Sequence, residues 1–99
     1  MPLTQSSDPS PLPRRLAAAR AACGISQAKL GELAGLDPSV ASARVNQYEQ
    51  GRHEPKFQTV RLLASVLNVP TAFLYCENDE MADAILALAR EREASAAKA

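Results

Sequence analysis

The sequence predicts an all-α chain with a single modest core. Alanine and leucine are abundant, aromatic residues make up only 4% of the 99 residues, and β-branched residues form no long runs. That composition favours helices over strands. Helix boundary signals point the same way. Ser26 can cap a helix that starts at Gln27. Gly51 follows a predicted helix, and a glycine in the left-handed conformation commonly ends a helix.

The first two predicted helices are short, and each ends at a glycine. The first spans residues 13–23 and is opened by a proline and stopped by Gly24; the second spans residues 27–34 and is stopped by Gly35. Their predicted inward side chains are Leu16, Ala19 and Cys23, then Leu30, Leu33 and Ala34.

The third predicted helix spans about residues 38–50. The pair Asp37-Pro38 is a strong start signal, with aspartate as the cap and proline at the first helical position. The apolar stripe of this helix has the i, i+4, i+7 spacing and consists of Ala41, Val45 and Tyr48.

The second half of the chain predicts a loop over residues 51–55 and three more helices. The fourth helix spans residues 57–67, a short one spans 72–75, and a last one spans 79–94, with residues 95–99 fraying. Asn78 caps the last helix. The expected inward side chains of the fourth helix are Phe57, Val60, Leu63, Ala64 and Leu67.

Composition and motifs exclude several classes of protein. Residues 1–11 are rich in proline and serine, which predicts a disordered arm and neither a signal nor a transit peptide. We expect a cytoplasmic protein with no membrane span, no cofactor and no metal. Cys23 and Cys76 are expected to be buried apolar residues, and His53, the only histidine, lacks partners for a metal or catalytic site. No spacing typical of an enzyme occurs.

Charge is distributed unevenly although the chain is neutral overall. Residues 12–68 hold eight basic and four acidic side chains, a net charge of +4, whereas residues 69–99 hold six acidic and three basic ones. A basic body suits an anionic partner such as nucleic acid. A scatter of solvated charges is the alternative.

A set of landmarks along residues 12–74 resembles the Cro/phage-repressor type of DNA-binding domain, also called the XRE family. The landmarks are Leu16, Arg20, Ile25, Ser26, Gln27, Leu30, Leu33, Ala34, Val45, Tyr48, Glu49, Gly51, Pro55, Leu63, Ala64, Leu67 and Val69. The resemblance implies a compact five-helix repressor-like domain whose third helix enters the major groove. Together with the composition and helix signals above, this predicts a disordered arm over residues 1–11, a helix-turn-helix domain over 12–76, and an additional C-terminal helix over 77–99.

The resemblance also implies roles for particular residues. Gln27 is expected to lie near DNA, and Arg20 and Glu49 are expected to form a partly buried salt bridge. Gln27 and Glu49 are about four residues further apart than in the family pattern, which is about one helical turn. An extra turn at the start of the third helix is the favoured explanation, and a longer loop before that helix is the alternative.

Two approaches predict which side chains read DNA. Alignment with the family indicates Ser42, Ala43, Arg44 and Gln47. Helical periodicity places Ala43, Asn46 and Gln47 opposite the apolar stripe, together with Ser39 and Gln50, and puts Ser42 and Arg44 on the flanks. Gln47 can pair with adenine, Arg44 with guanine, and Ala43 can contact a thymine methyl group. A merely solvated polar face is the alternative.

Contacts to the DNA backbone require donors, and four residues are placed to supply them. Gln27 and Lys29 lie at the start of the second helix, and Arg52 and Lys56 lie around the loop after the third helix. Arg14 and Arg15 are further candidates.

The last helix carries an apolar face formed by Met81, Ile85 and Leu88 at i, i+4, i+7, with Ala84 and Ala89 beside it. We expect this face to form a homodimer contact, since paired half-sites require a symmetric protein. Packing of the same face onto its own domain is the alternative.

The sequence as a whole predicts a sequence-specific transcriptional regulator that binds double-stranded DNA as a homodimer. Three alternatives stay open. The chain could be an antitoxin or small control protein whose last helix binds a protein partner. It could use the helix-turn-helix fold for protein contacts only. It could also sense oxidants or a ligand through Cys23 or Cys76.

Overall fold

The structure is a computed structural model that describes residues 10–98. That part of the chain contains six α-helices and no strands, which confirms the all-α prediction. Most of the predicted arm, residues 1–9, lies outside the described residues. The helices are α1 (Leu12–Cys23), α2 (Gln27–Leu33), α3 (Ala41–Glu49), α4 (Phe57–Leu67), α5 (Thr71–Tyr75) and α6 (Asp79–Lys98).

Side-chain caps start two of the helices as predicted. The Ser26 hydroxyl accepts a hydrogen bond from the Lys29 backbone N–H at 3.0 Å at the start of α2. The Asn78 side-chain oxygen accepts one from the Met81 backbone N–H at 2.8 Å at the start of α6. Helix α6 continues to Lys98, so its predicted end near residue 94 is wrong.

Helix α3 begins at Ala41, so the predicted start at Pro38 and the extra helical turn are wrong. The Asp37 carboxylate accepts hydrogen bonds from the Ser39 backbone N–H at 2.8 Å and from the Ser39 hydroxyl at 2.6 Å. The Val40 N–H then bonds to the Asp37 carbonyl at 3.0 Å and closes a turn. Asp37 therefore stabilises a turn and does not start a helix. The residues by which the Gln27–Glu49 separation exceeds the family pattern lengthen the loop before α3.

The core is formed among α1 to α5, and α6 packs against it beside α5. Its fully buried side chains come from five helices and include Leu16, Leu30, Val45, Leu63, Leu67 and Leu74. On α6 the buried residue is Ala82, with Ile85 and Leu86 packed beside it against the core.

Four side chains expected inside are not fully buried. Leu33 and Phe57 are exposed because each lies at the edge of its helix's buried face. Phe57 stacks on Tyr75 at the surface, with ring centroids 6.5 Å apart. Cys23 is exposed at the end of α1, and Cys76 is half-buried, so the prediction of two buried cysteines is wrong.

Candidate nucleic-acid interface

Helix α3 presents two faces of opposite character. Ala41, Val45 and Tyr48 are buried against the core, and this fixes which side of the helix points outward. The predicted base-reading side chains Ser42, Ala43, Asn46 and Gln47 are exposed, and Arg44 is half-buried. The exposed face therefore consists of small and amide-bearing side chains on a rigidly seated helix.

A glycine lets α2 approach α3 closely. A Cβ atom added to Gly31 would lie 2.8 Å from the Ala41 Cβ and 3.0 Å from the Ala41 carbonyl oxygen. Contacts this short are not tolerated without displacement, so only glycine fits at this position. The sequence patterns did not single out Gly31, although an isolated glycine inside a short helical pattern was the available signal.

Three polar side chains join α1, α2 and α3 behind that face. Arg20 donates from Nε to Glu49 at 2.6 Å and from Nη2 at 3.0 Å, which makes a two-bond ion pair. The Glu49 side chain is 5% exposed and that of Arg20 is 22% exposed. The hydrogen bond with Glu49 raises the pKa of Arg20 above its usual value. This network fixes the end of α3 relative to α1.

Gln27 belongs to the same network. Its side-chain nitrogen donates to Glu49 at 3.0 Å, and the residue is half-buried. Gln27, which was expected to donate to the DNA backbone, therefore has one of its two side-chain N–H groups already used. One N–H of the amide remains for an outside acceptor.

Two backbone hydrogen bonds connect the loop after α3 to the end of that helix. The Gly51 N–H bonds to the Tyr48 carbonyl at 3.2 Å and the Arg52 N–H to the Gln47 carbonyl at 2.9 Å. Gly51 has a φ of 71°, the left-handed conformation that such a helix end requires. Arg52 and Lys56 follow in the sequence as exposed cations, and Lys29 is exposed at the start of α2.

Arg44 contacts the same loop. Its guanidinium Nη1 lies 3.1 Å from Nε2 of His53. The His53 ring stacks on the Tyr48 ring, with centroids 5.8 Å apart and planes 23° apart. The loop thus touches a predicted base-reading side chain directly.

Arg14 and Arg15 do not belong to this surface. Arg15 is buried, donates to the Cys76 carbonyl at 2.6 Å and to Asp79 at 2.9 Å, and lies over the Phe73 ring. Arg14 donates to the same Asp79 oxygen at 3.0 Å. These hydrogen bonds lower the pKa of Asp79. The two arginines therefore anchor the start of α6, and Arg15 is too deeply buried to contact the DNA backbone as suggested.

Helix α6 has an exposed apolar edge next to its buried face. Met81 and Leu88 are 58% and 55% exposed, whereas Ile85 is half-buried at the boundary between the two faces. The helix therefore packs on its own domain and still exposes two of the three residues predicted for a dimer contact.

Within residues 10–98, no three side chains of the metal-binding types cluster as a metal site would require. The same residues contain no helix that combines the length and the apolar character needed to cross a membrane.

Comparisons with known proteins agree with this architecture. The family described as Helix-turn-helix matches residues 16–74. The crystal structure of transcriptional regulator BswR superposes with a TM-score of 0.75 at 52% sequence identity, covering 79% of this chain and 77% of that one. No curated protein matches the chain.

Proposed function

The chain belongs to the helix-turn-helix family and is a DNA-binding transcriptional regulator; we propose that helix α3 reads base sequence from the major groove. The observation that carries the proposal is the exposed face of α3, which offers amide and small side chains on a helix whose other face is locked into the core. The likeness to a transcriptional regulator favours this function over an antitoxin.

Base reading is assigned to the outward side chains of α3. Gln47 can make two hydrogen bonds to adenine and Arg44 two to guanine, while Ala43 suits a thymine methyl group. Ser42 and Asn46 flank these residues on the exposed surface and supply shorter polar contacts.

Backbone contacts are assigned to donors at the two ends of the helix pair. Lys29 lies at the start of α2, and Arg52 and Lys56 lie in and after the loop that follows α3. Gln27 adds its remaining side-chain N–H beside them. Such contacts set the position of α3 on the duplex and carry no base preference.

Dimerisation is assigned to the exposed edge of α6. A two-fold axis passing between Ala84 and Ile85 would pair Met81 of one copy with Leu88 of the other, because these residues are equally distant from that point. Burial of large apolar side chains stabilises such a contact, and a symmetric dimer suits paired half-sites.

Substitution of Gln47 by alanine tests the assignment of the reading face. On a duplex selected by the chain from a random library, Gln47→Ala should weaken binding by about 1–3 kcal/mol and relax preference at one base position. Gln58→Ala is the matched control, since it removes an exposed amide from α4. Equal weakening on all sequences would make Gln47 a backbone contact instead.

A further inference from the structure

We propose that His53 is a positioning residue for base reading: it holds the Arg44 guanidinium and makes one base preference depend on an uncharged imidazole. The inference rests on the proposed function of α3. The contact that carries it is the 3.1 Å approach of Arg44 Nη1 to His53 Nε2.

The chemistry of the pair fixes the direction of the hydrogen bond. A guanidinium has only donors, so Nε2 of His53 must accept. The ring must then be neutral, with its proton on Nδ1. His53 therefore offers Arg44 an acceptor that does not neutralise its charge, and the cation remains available for guanine.

The imidazole is itself held in place from two sides. Its ring stacks on Tyr48, whose side chain is buried in the core. Its backbone N–H lies 3.4 Å from the Gln47 carbonyl at the end of α3. An acceptor fixed to α3 in this way restricts a long flexible side chain before DNA arrives, which reduces the conformational entropy that binding must remove.

The surroundings of the ring leave Arg44 as the partner of Nε2. Arg44 and Tyr48 on α3 contact it, and Glu54 follows it in the loop wall of the adjoining cavity. From α1, only the uncharged Leu12 and Pro13 line that cavity. A charged imidazolium would present an N–H donor to the guanidinium at Nε2, so the bond to Arg44 requires the neutral ring.

Two substitutions separate the acceptor from the ring. His53→Phe keeps an aromatic ring and removes the acceptor, whereas His53→Gln supplies an acceptor without the ring. With the full chain and its selected duplex, His53→Phe should lose about three- to tenfold of the preference at the base that Arg44 reads. His53→Gln should retain more of that preference. Binding to an unrelated duplex should stay unchanged in both variants.

The Arg44→Ala background gives the decisive comparison. His53→Phe should have no further effect there, because its only role in reading is to hold Arg44. A loss that persists in that background, or that is equal on all duplexes, would overturn the inference. If Arg44→Ala changes base preference and His53→Phe does not, His53 positioning fails and the proposed function stands. If Arg44→Ala leaves every base preference intact, the assignment of Arg44 fails as well.

A second variant gives an answer even if His53→Phe does not fold. His53→Ala removes the acceptor without adding a bulky ring and should reduce the same single-base preference. A preference that is unchanged in this variant would overturn the inference.

Discussion

Helix α1 is joined to α3 and to α6 by arginine–carboxylate pairs of the same kind in different surroundings. Towards α3, Arg20 meets a Glu49 side chain that is 5% exposed. Towards α6, the Arg15 side chain, 8% exposed, meets an Asp79 side chain that is 74% exposed. Water screens the second pair and barely reaches the first. Loss of one partner should therefore cost more at the pair that holds α3 than at the pair that holds α6.

Packing shows the same contrast between the two regions. Helices α2 and α3 touch where Gly31 meets Ala41 and would admit no extra methyl group. Helix α6 rests on the core through Ala82 and leaves Met81 and Leu88 exposed. The contact between α2 and α3 is therefore tight, whereas α6 leaves an apolar edge uncovered.

Loss of Glu49 should produce the largest effect. Glu49→Ala leaves Arg20 and Gln27 without their shared acceptor and should destabilise the fold by about 3 kcal/mol, as measured by chemical denaturation. Glu32→Ala, which removes an exposed acid from α2, is the control. Since Arg20→Ala breaks the same pair, the double variant should lose less than the sum of the two. Strictly additive losses would show that the pair is not coupled.

Substitution of Gly31 tests the close approach of the helix pair. Gly31→Ala gains helix propensity of about 1 kcal/mol, but the new methyl group meets Ala41 and should produce a net loss of about 1–2 kcal/mol. Thermal unfolding measures the balance. An equal or higher melting temperature would mean that α2 and α3 can separate freely, and the frame would then be less rigid than the contrast with α6 requires.

A charge on the exposed edge of α6 tests its role as a dimer surface. Leu88→Lys should weaken self-association by about tenfold or more, since each copy loses burial of a large apolar side chain. Leu62→Lys is the matched control, because it makes the same substitution at an exposed leucine on α4. Sedimentation equilibrium measures both. Association that is equally strong in the two variants would place the interface elsewhere.

Acidification should produce the smallest of these effects, because it acts on the exposed Asp79 side chain that anchors α6. Arg14 and Arg15 lower the pKa of Asp79, so this carboxylate stabilises the fold above about pH 4, and that contribution is lost as the pH falls through the lowered value. Asp79→Asn should therefore show a slightly smaller decrease in melting temperature between pH 7 and 2.5 than the unsubstituted chain. Asp83→Asn is the control on the same helix, and an identical pH dependence in all three proteins would argue against the anchor.

The sequence predicted the features that depend on neighbouring residues. Caps at Ser26 and Asn78 and the helix end at Gly51 are local, and the stripe of α3 follows from helical periodicity. Asp37 misled the prediction because the same carboxylate oxygen can cap a helix or close a turn, and only the following backbone angles decide.

The contacts that the sequence did not predict are long-range ones. Arg15 is buried because the Cys76 carbonyl, 61 residues away, comes within reach of its guanidinium. The close contact between Gly31 and Ala41 depends on how the loop between α2 and α3 brings the start of α3 back against α2. Neither relation leaves a periodic pattern in the sequence, so the anchor of α6 and the tightness of the helix pair became visible only in three dimensions.

Selection of duplexes from a random library by the full chain tests the central claim, that α3 is a sequence-reading helix held in a rigid frame. The account predicts one enriched motif with two-fold symmetry and half-sites about one helical turn apart, bound with an affinity that falls as salt rises. Recovery of unenriched duplexes, bound equally well whatever their sequence, would contradict it.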